Sequence, residues 1–239
     1  MADKVNARIV SNGVKGEVHT YSVTDYAESV INAASGVYSD KAVNAVKAML
    51  NYGTAAQQYF GYNTDNPANS IMTDDDKNMD MVGFNTYTGK LVNADSVSGI
   101  SYYGSSLVLE SDTILRNYFE LSDGYSIDNY TFYVKDKDGN KNIIAPQKTD
   151  ASLYYIDISN VKAYELADNV NIYVQKNGDS EDKIMMLEYG AYVYARYVDK
   201  YLDNTALKNL MTAMYHYCNA ATEYANCLLY TSDAADEAR

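Results

Sequence analysis

The side chains in this chain that could carry nucleophilic, acid–base or metal chemistry are few and widely spaced. His216 and Cys218 stand two positions apart in Tyr215-His-Tyr-Cys218. A thiol beside an imidazole is the minimum for a nucleophile and its base. On a helix, however, a spacing of two points the side chains to different faces rather than to one shared site. His19 is the other of the 2 histidines, which leaves little imidazole for acid–base or metal work. It falls in an expected strand, where a solvated or cross-strand role accounts for it.

Two acidic groupings carry the hard oxygen donors that calcium takes. Asp136, Asp138 and Asn140, with Gly139, resemble the start of a calcium loop, but Gln147 stands where the distal glutamate belongs. A β-hairpin turn uses the same residues equally well. Asp74, Asp75 and Asp76, after Thr73, are the second candidate cation site, with an exposed acidic linker as the plain alternative. Tyr102, Tyr103 and Tyr125, near expected strand ends or loops, are candidates for stacking on sugar rings, although ordinary strand tyrosines have the same appearance. Arg116, among Ile114, Leu115, Tyr118 and Phe119, suits a cross-strand pair with a carboxylate. A glycosidase needs two facing carboxylates in a cleft, and no such pair stands out among 32 acidic residues. The expectation is a noncatalytic protein with no cofactor.

The elements that position these residues show an internal duplication. Met1-Ala-Asp-Lys-Val-Asn stands over Leu166-Ala-Asp-Asn-Val-Asn, and Asn12-Gly13 over Asn177-Gly178, at an offset of 165. Tyr21, Tyr26, Ala27 and Val30 stand over Tyr189, Tyr194, Ala195 and Val198 at 168. The offset of 165 then returns for Ala48-Met49, Tyr52, Ala55-Ala56 and Tyr59 over Ala213-Met214, Tyr217, Ala220-Ala221 and Tyr224. Asn51 and Gly53 become His216 and Cys218 in the second copy. A fixed period is the mark of a modular array, though this one far exceeds a solenoid unit.

Residues 4–10 and 14–21 are expected strands around the turn Ser11-Asn12-Gly13. Ser22-Val-Thr-Asp25 is a capping box, and the spacing that follows predicts a helix to about Ala34. Ser39 caps a longer helix to about Phe60, with the stripe Ala45, Ala48, Met49, Tyr52, Ala55, Ala56 and Tyr59. From about 80 to 188 the pattern turns to short alternating runs: 97–103, 105–110, 113–119, 129–135, 141–145, 152–158, 169–175 and 183–188, with Asp123-Gly124, Asp138-Gly139 and Asn177-Gly178 as turns. About seven strands in roughly 100 residues suits an immunoglobulin-like sandwich. Helices are expected again from Ala191 to Leu202 and from an Asn204 cap to Ala225. The fold expected is α+β, an antiparallel Ig-like β-sandwich with two helical hairpins. Two short helices cannot bury a core alone. Each hairpin must therefore lie on a sheet or on the other hairpin, and the repeat leaves both arrangements open.

Composition bounds the rest. The chain has 239 residues, 47% hydrophobic and 21% charged, with 26 tyrosines, no tryptophan and 2 prolines, a globular balance rather than a disordered one. A net charge of -13 and a pI near 4.5 give no basic footprint for nucleic acid or anionic membranes. No apolar run reaches the roughly 18 residues needed to span a bilayer. The cysteines are Cys218 and Cys227; with Cys227 assigned to the tail described next, Cys218 alone is too few for a zinc site of four cysteines or of two cysteines and two histidines. Cys227 itself belongs to a tail, Cys227-Leu-Leu-Tyr-Thr-Ser-Asp-Ala-Ala-Asp-Glu237, that resembles the translation of a sequencing adapter. The tail is set apart on that ground, which leaves Cys218 without an intramolecular disulfide partner.

Val46-Lys-Ala-Met-Leu-Asn-Tyr-Gly-Thr-Ala-Ala-Gln-Gln-Tyr-Phe60, with Gly61-Tyr-Asn-Thr-Asp-Asn66, resembles an uncharacterised repeated module of large secreted and surface proteins from Gram-positive gut bacteria. Ser105-Ser-Leu-Val-Leu-Glu-Ser111, Arg116-Asn-Tyr-Phe119, Tyr154-Tyr-Ile-Asp-Ile158 and Ala213-Met-Tyr-His-Tyr217 continue the likeness over most of residues 17–226. It implies export, an extracellular or cell-surface location and a multidomain parent, and it brings no catalytic residues to carry over. The organisation expected is a strand hairpin and helical hairpin at 1–62, the tail of a truncated preceding module. A linker and sandwich follow at 63–188, a second helical hairpin at 189–226 and an artefactual tail at 227–239. The expected function is a structural, spacer or adhesion module whose partners are neighbouring modules, a glycan or a host or bacterial surface protein. A carbohydrate-binding accessory module of a glycan-degrading enzyme is the alternative.

Overall fold

A computed structural model of the chain describes residues 5–80, 96–109, 112–136, 138–166, 170–179, 183–187 and 203–236. The fold is mixed α+β, and every described strand pair is antiparallel. The chain divides into two units, one of residues 1–82 with 201–239 and the other of residues 83–200.

The first unit opens with a hairpin in two short ladders. β1 (Val5–Ala7) pairs with β4 (His19–Tyr21), and β2 (Val10–Ser11) pairs with β3 (Val14–Lys15) around Asn12-Gly13. Both turn residues have positive φ, 49° and 79°, the backbone that an Asn-Gly pair adopts most readily. α1 (Val23–Ile31) begins where Ser22 accepts the Asp25 N–H at 2.9 Å and buries Ala27 and Val30. α2 (Asp40–Phe60) begins at Ser39, which accepts from Ala42, and ends at Gly61 in the left-handed region, φ 65°. Ala27 of α1 and Leu50 of α2 share a core with Ala68 and Met72 of the following loop. α4 (Thr205–Asp236) starts where Asn204 Oδ1 accepts the Leu207 N–H at 3.0 Å, the expected cap. It continues beyond Ala225 into the tail set apart above.

One expectation changes here. α2 is buried on more than its predicted stripe: Leu50, Asn51, Gly53 and Thr54 are buried along with Ala55. The cause is that α2 lies against α1, the 61–80 loop and α4 together. α2 and α4, whose residues match at the offset of 165, therefore pack on each other within one unit. The expected helix 191–202, and with it the second helical hairpin, lies outside the described residues.

The second unit contains two four-stranded sheets. One has the order β5-β6-β10-β9, built from β5 (Ile100–Leu109), β6 (Thr113–Leu121), β9 (Gln147–Lys148) and β10 (Tyr154–Ile158). The other has the order β12-β11-β7-β8, built from β7 (Tyr130–Lys135), β8 (Lys141–Ile144), β11 (Val170–Lys176) and β12 (Lys183–Leu187). Alternation decides what each strand buries: Leu115, Asn117 and Phe119 in β6, Ile156 in β10, Ile172 and Val174 in β11. The rings of Phe119 and Phe132 lie 4.9 Å apart, so the buried faces of the two sheets meet. The expected strands 97–103 and 105–110 are one strand, β5, which pairs along the whole of β6 with a register shift between Tyr102 and Gly104. The interruption is a bulge, with Tyr103 the extra residue between the Tyr102–Phe119 and Gly104–Tyr118 pairs. Among the described residues no helix is long and apolar enough to cross a membrane.

Candidate functional site

The outward face of the β5-β6-β10-β9 sheet carries a set of polar and aromatic groups in contact with one another. Period-two alternation and the register bring Ser106, Arg116 and Asp157 into one cross-strand row, and Gly104, Tyr118, Tyr155 and Gln147 into the next. Arg116 donates from Nε and Nη2 to the two Asp157 carboxylate oxygens at 2.7 and 2.8 Å, the bidentate geometry that a guanidinium favours. This is the cross-sheet carboxylate expected for Arg116, and it holds the guanidinium pKa above its ordinary value. The same guanidinium carbon lies 4.2 Å from the centre of the Tyr155 ring. Tyr118 lies 6.0 Å from Tyr155, and the Tyr155 hydroxyl donates to Gln147 Oε1 at 2.7 Å. A Cβ on Gly104, beside Tyr118, would touch nothing within 4 Å. The result is two tyrosines flanked by the Arg116–Asp157 ion pair, an amide and open space.

The first unit holds a different polar arrangement. Lys47, Asn51, Thr54 and Gln57 follow one face of α2 at helical spacing, and each engages the loop that comes after the helix. Lys47 Nζ pairs with Asp76 at 2.7 Å, and Asn51 Nδ2 donates to the Asp76 carbonyl at 2.9 Å. Asn69 donates from Nδ2 to Asn51 Oδ1 at 2.7 Å and from its backbone to Thr54 Oγ1 at 2.9 Å. Gln57 donates to the carbonyls of Asn63 and Asn66 and accepts from Ala68. The Lys47 hydrogen bond holds the Asp76 carboxyl below the usual carboxylate range. His216 is the second-copy counterpart of Asn51, and its Nε2 bonds the Asp80 carbonyl at 2.9 Å. A cavity of about 210 Å³ beside this seam is lined by Asn51, Thr54, Ala55, Gln58, Asn69, Lys77, Met79, Asn209 and Thr212. Among the described residues the lining offers amides, hydroxyls, one amine and the Met79 thioether.

The residues singled out from the sequence are dispersed. Tyr102 is half-buried, edge-on to Phe119 with centroids 5.9 Å apart, and its hydroxyl bonds Ser105. Burial pushes its pKa up. Tyr103, at the bulge, is 64% exposed. Tyr125 covers Gly99, where a Cβ would meet the ring at 2.2 Å, and its hydroxyl lies 3.2 Å from Ser98 Oγ. The Asp136 carboxylate accepts from the backbone of Asp138 and from both the backbone and the side chain of Asn140. Those contacts, the Asn140 side chain first, lower its pKa and close the β7–β8 hairpin.

Asp74, Asp75 and Asp76 lie on α3 (Asp74–Lys77), capped by Thr73. Asp76 faces Lys47, whereas the Asp74 side chain is fully exposed. Among the described residues no three His, Cys, Asp or Glu side chains are grouped to hold a metal ion. Cys218 is buried on α4. Sequence reasoning missed Asp157, Tyr118 and Tyr155 as one surface with Arg116. Setting β6 and β10 side by side as antiparallel neighbours would have exposed it.

Comparison with protein families, with curated proteins and with solved structures finds no match.

Proposed function

We propose that the chain is a noncatalytic structural module of an exported, multidomain bacterial surface protein, serving as a spacer or display scaffold. The carrying observation is the seam on α2. The polar side chains best placed for chemistry in the first unit are consumed in fixing the loop that follows the helix. Strand order supports an immunoglobulin-like sandwich in the second unit. With β5 to β12 taken as strands A, B, C, C′, D, E, F and G, the sheets read A-B-E-D and G-F-C-C′. The duplication of the flanking elements supports a tandem arrangement. The test is turnover and binding on a panel of bacterial and plant polysaccharides. No product and no retention are expected, and release of reducing ends would overturn the reading.

A carbohydrate-binding accessory role is the second reading, favoured by Tyr118 and Tyr155 beside the fixed Arg116 guanidinium. Retention of the chain on an immobilised polysaccharide, lost in Tyr155→Ala and kept in Tyr103→Ala, would select it. Retention lost instead in Tyr102→Ala, Tyr103→Ala or Tyr125→Ala would place the contact at the residues expected from the sequence.

A further inference from the structure

The hairpin of residues 5–21 exposes an apolar surface: Val5 is 67% exposed, Ile9 81%, Val14 72% and Tyr21 59%. The internal repeat provides a second copy of this hairpin in a finished setting. At the offset of 165, Ala7 stands on Ile172, Arg8 on Tyr173 and Ile9 on Val174. Ile172 and Val174 are fully buried. β11 lies between β12 and β7, with Tyr173 opposite Tyr133 and Val174 opposite Phe132. In the first copy β1 has a single partner, β4. Arg8 and Ile9 fall between the short ladders of β1 and β2, in no strand. The two hairpins thus share an apolar pattern, and one of them has a sheet to bury it.

We propose that hairpin 5–21 docks on a further copy of the same β-sandwich. Residues 8–11 add to its β7-equivalent strand in the register of 173–176 on β7. Strand addition to an open sheet edge supplies main-chain hydrogen bonds, and the alternating side chains supply specificity. A long apolar edge with no partner is otherwise a liability that proteins cover. A second copy of this chain with its sheets intact is the wrong occupant, because its β7 already has β11 on one side and β8 on the other. The fitting occupant is a sandwich without its own last hairpin, which is what residues 63–165 encode. The proposal rests on reading the chain as a repeated module and names that module's neighbour.

Fusing residues 63–165 directly before Met1 of the full chain supplies this partner, and hydrogen exchange read by mass spectrometry reports on it. Amides 8–11 are expected to exchange at least about 100-fold more slowly in the fusion than in the chain alone. Peptides from 100–135, now present twice, should show one protected population. Ile9→Asp should abolish the gain in the fusion while leaving the melting temperature of the chain alone unchanged, since Ile9 is exposed there. Unchanged exchange at 8–11, or a second, unprotected population of 100–135 peptides, overturns the proposal. Protection that appears in the chain alone as its concentration rises assigns the hairpin to a second copy of the chain and overturns it as well. None of these failures produces polysaccharide turnover, so the noncatalytic reading stands or falls separately.

Discussion

Tyr52 of α2 stacks on Tyr217 of α4, with ring centroids 5.8 Å apart and planes 24° apart, and the two residues occupy the same position of the internal repeat. A repeat position packed against its own counterpart is what a pseudo-twofold helix pair produces. Small residues at Ala48, Ala55, Ala56 and Ala213, Ala220, Ala221 flank it, and Ala55 and Ala213 are buried. Replacing either tyrosine by alanine removes a ring from this seam and should destabilise the chain by about 2 kcal/mol or more. The double variant should cost less than the sum, by about 0.5–1.5 kcal/mol, because the second ring has already lost its partner. Urea unfolding of the four proteins checks this, and strict additivity would show that the rings do not interact.

The same pair sets an alkaline limit. Burial, and then the charge on Tyr217, raise the Tyr52 pKa, and burial raises that of Tyr217. Unfolded tyrosines ionise near pH 10, so above that value the unfolded chain gives up protons before the folded one. The stability linked to these groups is full below about pH 10 and is lost as pH rises through the raised folded values. Tyr52→Phe should flatten that alkaline decline in urea midpoint, while leaving the unfolding free energy near pH 7 within about 1 kcal/mol of the parent.

The acid side depends on Asp76. Its hydrogen bond from Lys47, first, and then the one from Thr73 lower its pKa against the opposing effect of desolvation. The linked stability is therefore full above the unfolded carboxylate value, about pH 4, and falls away as pH drops through the lowered folded value. Both side chains are 27% exposed, so the pair is worth about 1 kcal/mol at most. Asp76→Asn should lose that amount at pH 7 and show a shallower decline as pH falls below about 4. Parallel pH profiles for the two proteins would remove Asp76 from the account.

These features differ in how far the sequence foretold them, and the difference is one of range. Ser22, Ser39, Gly61 and Asn204 act within one helical turn, so their caps were legible from neighbours alone. The seam on α2 was not, because Asn51, Thr54 and Gln57 bond mostly backbone groups of a loop, and backbone carries no residue signature. The repeat marked Tyr52 and Tyr217 as equivalent without saying that they touch. Arg116 and Asp157 are 41 positions apart, and only the β6–β10 register joins them. The runs 97–103 and 105–110 were read as two strands because a bulge interrupts the alternation as a strand end does.

Arg116 offers a test that separates charge from geometry. Lysine keeps the charge but has no planar fork, so Arg116→Lys gives up one of the two hydrogen bonds to Asp157 and most of the stacking on Tyr155. Both side chains are about a quarter exposed, 26% and 22%, so the loss should be moderate, about 1–2 kcal/mol. If the pair acted by charge alone, Arg116→Lys would match the parent and the salt dependence of both would be equal.

Gly99 and Tyr125 give the sharpest steric prediction. Gly99 has φ +83°, a backbone that side chains resist, and a Cβ there would lie 2.2 Å from the Tyr125 ring and 2.4 Å from its Cγ. Contact at Cγ means that rotation about the outer bond cannot relieve the clash, so the whole ring must leave. That departure removes the Tyr125 hydroxyl from Ser98 and the ring from Lys176, whose Nζ lies 5.2 Å from its centre. Gly99→Ala should therefore destabilise the second unit by about 1–3 kcal/mol. Tyr125→Ala should cost less, because the ring is 38% exposed, and in that background Gly99→Ala should cost only its backbone strain, about 1 kcal/mol. Thermal unfolding of the single and double variants measures the difference, and equal costs for Gly99→Ala with and without the Tyr125 ring would show that the two residues do not meet.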